Sequence, residues 1–575
     1  MDGSNDGKTS GVGRSAVCLD AVALAKTNTG TGPGLAWRLR KDLPSGSVIE
    51  SPHPEESRPL KVPCPRGGWW RVSLHFAGAD AIGKQPPVTM RVELPGSGRH
   101  WTAPLLDNPF VLGDLELDGE TLTITKAGLG YAGIRQIVFT PMAKPVTYFK
   151  RARRPGRLPV FGITDQLDFA RETACTAAEP FADMMRYHRE LGFTAVSWHA
   201  YAGCCTYPTQ VGTHTPYFNW NDREHLRILA GNNRNPSGDL PAFEFCRRHD
   251  QIELGTRLAH QEGLQFFPCF RVNNEWGEPW LFSFISEELA VQFWQPAFFK
   301  QHPEYRLQYK DGTFHGGGMC FSHAAVRRYR LGIIREVMEN YPAIDGIFLD
   351  LHRNPPMVDY PDSLVEQFQK RYGADIRRSE PLLEHATDPR WLAMRARPFT
   401  EFLRQVKTAK TSLGKEYPTV LRTDRTMAGA LLDGVDLRAI LRERLADTLI
   451  LELHHKNDYE TSFADLAAKA RAAGLSVLAC FQNPSFVEKD WPSVAGIAER
   501  WMNDGAQGLA FYESNRLVCR RQLRENLPGW LSRFKPRSAP SATRLQQDPS
   551  PSRDRRACAG PKDALSDPAG CPISR

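Results

Sequence analysis

Nowhere in its 575 residues does the chain gather the roughly 18 consecutive apolar side chains that a membrane-spanning helix needs, so no membrane partner is expected. Its opening, MDGSNDGKTSGVGRSAV, lacks the basic-then-apolar order of a secretory signal, and as written the chain reads as unexported and cytoplasmic. Cysteine is sparse and irregular: 12 residues fall well short of a disulfide-stapled module. The adjacent pair Cys204 and Cys205 leaves a vicinal bridge, a soft metal ligand and plain core thiols open, the last favoured. Charge of one sign is also lacking. Lys and Arg total 73 against 65 Asp and Glu, a formal +8 with no compact basic block, so a nucleic-acid partner is poorly supported. No Gly-x-Gly-x-x-Gly follows the first buried strand of the second half, no Lys or Ser completes a phosphate loop around FHGGGMC, and no His-Glu-x-x-His helix is present.

What is there suffices for large cores: 41% of residues are apolar and 10% aromatic. Residues 1–60, rich in Gly, Ser and Pro, read as a partly irregular extension in which VCLDAVALA supplies an early strand or helix. Over 61–148 the runs WWRVSLHF, VTMRVELP, VLGDLELD, ETLTITKA and IRQIVFTP alternate with period two between Gly, Pro and Asp-Gly breaks. That pattern predicts a small antiparallel β-sandwich, with a hairpin at Asp118-Gly119. Residues 534–575, dominated by Pro, Ser, Arg and Gln, read as a disordered tail.

Between them, over 158–530, strand and helix patterns alternate eight times. LPVFGITD, FTAVSWHA, LQFFPCFR, AIDGIFLD, PTVLRTD, DTLILELHH, SVLACFQN and GLAFYESN are separated by amphipathic helices such as AAVRRYRLGIIREVMENY. Eight alternations predict a (β/α)8 TIM barrel, an α/β fold, whose chemistry sits at the carboxyl ends of the strands. Those ends carry Asp165, His199, Arg271, Asp350, Asp424, Glu452, Gln482 and Glu513, with Tyr512 beside the last. Asn273, Trp276 and Trp280 follow the third strand, Arg353 the fourth and His454 the sixth. Carboxylates, imidazoles and arginines among aromatic rings suit a sugar, whose ring stacks on aromatic faces while its hydroxyls take the polar groups.

Hydrolysis of a glycosidic bond needs two carboxyl groups, one protonating the leaving oxygen and the other attacking or activating water. Asp350 is the candidate nucleophile or base, with Arg353 to orient it; Glu452 is the candidate proton donor and Glu513 the reserve. Asp424, flanked by Arg422 and Arg425, reads as a permanently ionised group that orients substrate. His199, Trp276, Trp280 and Tyr512 are candidate sugar contacts, together with Asp165, Arg271, Asn273, His454 and Gln482. Each has a plainer reading: Asp350 as a helix cap, His199 as a core imidazole, the tryptophans as packing. Glu336 reads as structural, His323 as a helix-terminal group and FHGGGMC as a mobile edge of the cleft.

The segment CFSHAAVRRYRLGIIREVMENYPAIDGIFLDLHRNPP resembles the central signature of the family-10-like glycoside hydrolases, a group of bacterial barrel proteins. The matching positions are Arg327, Glu336, Tyr341, Asp345, Gly346, Ile347, Asp350, Arg353 and Pro355, with Leu351-His352 standing where an acidic or aromatic residue is common. The resemblance implies a barrel acting on carbohydrate, without a cofactor, and an N-terminal accessory domain of the kind fused to sugar-active barrels. Two other readings stay open. One is a carbohydrate-binding barrel without activity; the other is a metal-dependent hydrolase with His199, Asp350, Glu452 and His454 as ligands.

Overall fold

The computed structural model describes residues 15–531 except 28–36, 45, 52–57, 78–88, 96–98, 104–108, 128–130, 143–157, 167–168, 170–177, 216–244, 247, 276–286, 353–354, 380–387, 454–458, 483–485, 488–489, 520–526 and 529–530. The period-two runs of the N-terminal part form two antiparallel sheets. In the six-stranded one, Ala132–Met142 pairs with Val17–Asp20, Val48–Ser51 and Trp69–Phe76, while Arg38–Arg40 and Phe110–Glu116 lie outside these. The four-stranded one runs Leu60–Pro63, Thr121–Ala127, Thr89–Leu94, Arg99–Ala103. Alternation does the sorting: along Trp69–Phe76 the buried positions are Trp70, Val72, Leu74 and Phe76.

Two expectations change here. The segment expected to be a partly irregular extension supplies the strands Val17–Asp20, Arg38–Arg40 and Val48–Ser51 to the six-stranded sheet, together with the helix Ala21–Thr27. The Asp118-Gly119 turn is not a hairpin. Gly119 does take a left-handed φ of 84°, but the strand before it belongs to one sheet and the strand after it to the other. Its amide donates to the Pro65 carbonyl at 3.1 Å, which fixes a crossing between sheets instead of a two-strand ladder.

The barrel has its eight parallel strands: β1 (Val160–Ile163), β2 (Ala195–Ala202), β3 (Gln265–Arg271), β4 (Ile347–Asp350), β5 (Thr419–Asp424), β6 (Thr448–Glu452), β7 (Ser476–Phe481) and β8 (Gly508–Tyr512). Each pairs with the next, and β8 pairs back onto β1, closing the sheet. The helices used below are α1 (Ala178–Glu190), α2 (Gln251–Gln261), α3 (Ala324–Asn340), α4 (Asp362–Tyr372), α5 (Pro389–Ser412), α6 (Leu437–Glu443), α7 (Ala464–Ala472), α8 (Trp491–Asp504) and α9 (Ser514–Cys519). Local chemistry sets their ends. Asp250 caps α2 through the amides of Ile252 and Glu253, and Asp388 caps α5, whose first residue is Pro389.

Inside the barrel a separate apolar cluster holds Phe161 and Ile163 of β1, Ala195, Phe267 and Cys269, Phe348, Val420, Ile450, Leu478 and Cys480, Ala510 and Tyr512. These are alternate residues on each strand, so two-residue steps extend the inward face to Asp165, Arg271, Asp350, Arg422, Asp424, Glu452 and Gln482. The charged layer therefore lies directly above an apolar one. No helix among the described residues is long and apolar enough to cross a membrane.

The barrel's closure rests on a buried polar joint. His188 of α1 lies 2.8 Å from the Met184 carbonyl through Nδ1 and 2.9 Å from the Ser514 hydroxyl through Nε2, tying the first helix to the start of α9. Burial, only partly opposed by the Met184 contact, lowers its pKa to about 4 against an ordinary 6.5. The unfolded chain thus takes up a proton that the native state refuses. Stability is fully present above pH 6.5 and is lost as pH falls toward 4, by about 3 kcal/mol. Denaturant unfolding of the His188→Gln variant is expected to show a flatter dependence over that window than the parent chain.

Candidate active site

The mouth is organised by an arginine. Arg422 of β5 stands beside Asp350 of β4 in the ladder and, facing inward, donates from Nη1 to Asp350 Oδ2 at 3.0 Å. From Nε and Nη2 it makes a two-pronged contact with Glu452 of β6, at 2.7 Å each. Its guanidinium lies 4.5 Å from the centroid of the Tyr512 ring, so a cation on an aromatic face joins β8 to the cluster. Arg271 of β3 completes the floor, donating to Asp165 Oδ2 at 2.5 Å and to the Tyr512 hydroxyl at 3.1 Å. Asp165, Arg271, Asp350, Arg422 and Glu452 are all buried.

These environments separate the carboxyl groups. Burial would raise the Glu452 carboxyl, but Arg422 and the His352 ring, whose Nδ1 is 3.0 Å from Glu452 Oε1, outweigh it and hold it well below the ordinary carboxylate range. His352 responds in kind: burial lowers it, Glu452 more than offsets that, and its pKa is raised. Asp433 behaves oppositely. It follows the short helix Met427–Leu432 in the loop after β5, where burial, reinforced by Asp424 and opposed by His352 and Arg395, pushes its carboxyl up to about 7. Its backbone carbonyl accepts from the Met357 amide at 2.9 Å, joining the loops after β4 and β5. Arg395 of α5 donates to the carbonyl of Leu432, fixing the preceding residue.

Several expectations need correction. Arg422 and His352 favour the charged form of Glu452, whereas the proton-donor role expected of it asks for the protonated one. Glu513 lies one residue past the end of β8, after the inward Tyr512. Glu513 has a φ of 49° and pairs with Arg516 of α9 at 2.9 Å. Asp424 is not the partner of its flanking arginines: Arg422 turns to Asp350 and Glu452, and Arg425 lies over Trp501 at 5.1 Å. Asp424 Oδ1 instead accepts from the amide and hydroxyl of Thr426, at 2.7 and 2.8 Å, where the chain enters the next helix. Asn273 is fully buried and accepts the Met319 amide at 2.7 Å, supporting the antiparallel pair Arg306–Gln308 and Phe314–Met319. The FHGGGMC segment is thus a built hairpin, packed so closely that a Cβ on Gly318 would lie 2.6 Å from Leu307 Cδ1.

His199 is buried within β2, three residues before its end, its carbonyl accepting from the Thr206 hydroxyl at 2.5 Å, and Gln482 is half-buried just past the end of β7. Trp276, Trp280, Arg353 and His454 lie outside the described residues. Cys204 and Cys205 are free thiols, and Glu336 accepts from Tyr207, Thr209 and Gln210, a structural role. Among the described residues no group of three or more His, Cys, Asp or Glu is placed to hold a metal ion. Sequence reasoning missed Arg422 as the organiser, His352 and Asp433. The first was legible, since two-residue steps from inward-facing Val420 lead to Arg422.

No protein-family model matches the sequence, and no curated protein does. Solved structures do. The chain is similar to a β-galactosidase from the psychrophilic Marinomonas ef1, at 10% identity and TM-score 0.41, over 65% of this chain and 59% of that one. It is similar also to the PgaB (BpsB) glycoside hydrolase domain from Bordetella bronchiseptica, at 11% identity and TM-score 0.39, over 65% and 98%. A third is the α-galactosidase of Thermus thermophilus, at 12% identity and TM-score 0.32, over 86% and 91%. All three are glycoside hydrolases. The chain thus spans about three fifths of the first enzyme's length.

Proposed function

We propose that the barrel is a glycoside hydrolase that takes an oligo- or polysaccharide at the carboxyl ends of its strands. Asp350 serves as the anionic nucleophile or base and Asp433 as the proton donor. The observation that carries this reading is the opposite treatment of neighbouring carboxyl groups. Asp350 and Glu452 are ion-paired to one guanidinium, whereas Asp433, half-buried in the loop after β5 and acted on by the His352 charge, is pushed up to about 7. Acid and base roles are divided in this way wherever one site must hold a proton and spare a charge near neutral pH. Glu452 then positions: it fixes Arg422 and keeps His352 charged, and His352 in turn limits how far the Asp433 pKa rises.

A proton donor works only while protonated, so activity limited by Asp433 falls as pH rises through about 7. In Asp433→Asn this alkaline limb is expected to vanish from the pH profile of kcat/KM on a natural glycan, with a loss of roughly 10²–10⁴-fold. Aryl glycosides with good leaving groups should lose least. An unchanged alkaline limb would remove Asp433 from the role.

A carbohydrate-binding barrel without turnover is the second reading, favoured by the complete burial of Asp350 and Glu452 in ion pairs. Reducing-sugar release measured beside calorimetric titration of the same glycan panel separates the two, since binding without release supports the second alone.

A further inference from the structure

A cavity of about 600 Å³ opens on the helical shell, lined by side chains of α3, α4, α5 and α6 and by none of the strand-end residues described above. Its size is that of a small-molecule site. Arginine dominates the lining: Arg327 from α3, Arg397 and Arg404 from α5 and Arg442 from α6. Two of these are already neutralised. Arg404 is paired with Glu401 at 3.1 Å and Glu443 at 2.6 Å, and Arg442 with Glu443 at 2.9 Å. The lining carboxylate Asp436 is engaged by the Ala439 amide at 3.1 Å as the cap of α6.

The other two make no ion pair among the described residues, although Glu401, which also lines the cavity, offsets part of the burial of Arg327. Arg397 stands next to Pro398, where the helix lacks an N–H. Arg327 is half-buried and spends Nη1 on the carbonyls of Phe321 and Ser322, at 2.6 and 2.9 Å, while its Nε is buried without a hydrogen-bond partner. With Nε enclosed and Nη1 given to carbonyls, Nη2 is the Arg327 group left to meet an occupant of the cavity. Ser363 and Gln367 of α4 and Ser322 at the entry to α3 line the same cavity with further hydrogen-bonding groups.

We infer that this cavity binds a phosphorylated small molecule, its phosphate held between Arg327 and Arg397 and its remaining polar groups by Ser322, Ser363 and Gln367. The lining carboxylates Glu401 and Asp436 offset part of the positive charge, and a phosphate monoester, which carries about −1.5 to −2 at pH 7 on three oxygens, can engage both guanidiniums where a monocarboxylate engages one. The guanidinium fork also fits two phosphate oxygens at once. The site is independent of the reaction proposed at the mouth.

The test is calorimetric titration of the whole chain at low salt with inorganic phosphate and with glycerol phosphate, and with lactate as the monocarboxylate control. Saturable binding of one equivalent of either phosphate, with lactate much weaker, is expected. Arg397→Ala, an exposed change on a helix surface, should weaken it about tenfold or more. Asp350→Asn should leave it unchanged, which distinguishes the cavity from the mouth. Arg327→Lys, which keeps the charge and loses the fork, should fall between. No saturation at high millimolar phosphate, equal binding of lactate, or equal affinity in a folded Arg397→Ala variant would overturn the assignment.

Discussion

Replacing Asp350 by Asn is expected to lower turnover of a natural glycan roughly 10²–10⁴-fold while the protein stays folded and still binds sugar. The amide occupies the same volume, and its oxygen still faces Arg422 Nη1, which approaches Asp350 Oδ2 at 3.0 Å in the parent chain. Arg422 meanwhile keeps its two-pronged contact with Glu452, so the floor of the mouth does not come apart. What disappears is a negative charge needed as the reaction proceeds and hardly at all for ground-state affinity. The measurement is kcat and KM beside an unfolding curve. A loss confined to KM, or turnover close to that of the parent chain, would reject Asp350 as nucleophile or base.

The largest effect on stability is expected from Arg422→Leu. The side chain is fully buried, and its loss leaves two buried carboxylates, Asp350 and Glu452, without the cation that compensates them both. Breaking a buried pair from one side costs about 3–5 kcal/mol, and although the His352 ring stays 3.0 Å from Glu452, Arg422 is the cation bonded to both carboxylates. Denaturant unfolding at pH 7 should show that loss. Adding Asp350→Asn to the same chain should recover part of it, since one of the two carboxylate charges goes while Glu452 keeps the His352 ring. If the single variant were as stable as the parent, the ion-paired floor would have no energetic meaning.

Much of this was readable from residue order, and the rest failed for identifiable reasons. All eight barrel strands follow from apolar runs ending in polar groups, because a strand buried on both faces leaves that signature. Asp165, Arg271, Asp350, Glu452 and Tyr512 gather at one end because a parallel barrel sends every strand's carboxyl terminus to the same rim. Glu513 misled because it stands one residue beyond an inward tyrosine, and a single step reverses the face. Asp424 misled because neighbours in sequence were taken as neighbours in space, whereas Arg422 and Arg425 reach different partners. Asp433 carried no signal at all. It lies in a loop, and its character comes from burial and from His352, Asp424 and Arg395, which only the folded chain assembles.

The charged floor has a consequence for how such a site can change. Asp350, Arg422, Glu452 and Tyr512 belong to the hydrogen-bonded ladder itself, so their relative positions are set by strand register and not by loop conformation. Loops after the strands can then be lengthened, shortened or exchanged to admit a different ligand while the charged floor stays where it is. The strands tolerate no such freedom: inserting one residue between Thr419 and Arg422 would turn the guanidinium out of the barrel and leave both of its carboxylates behind.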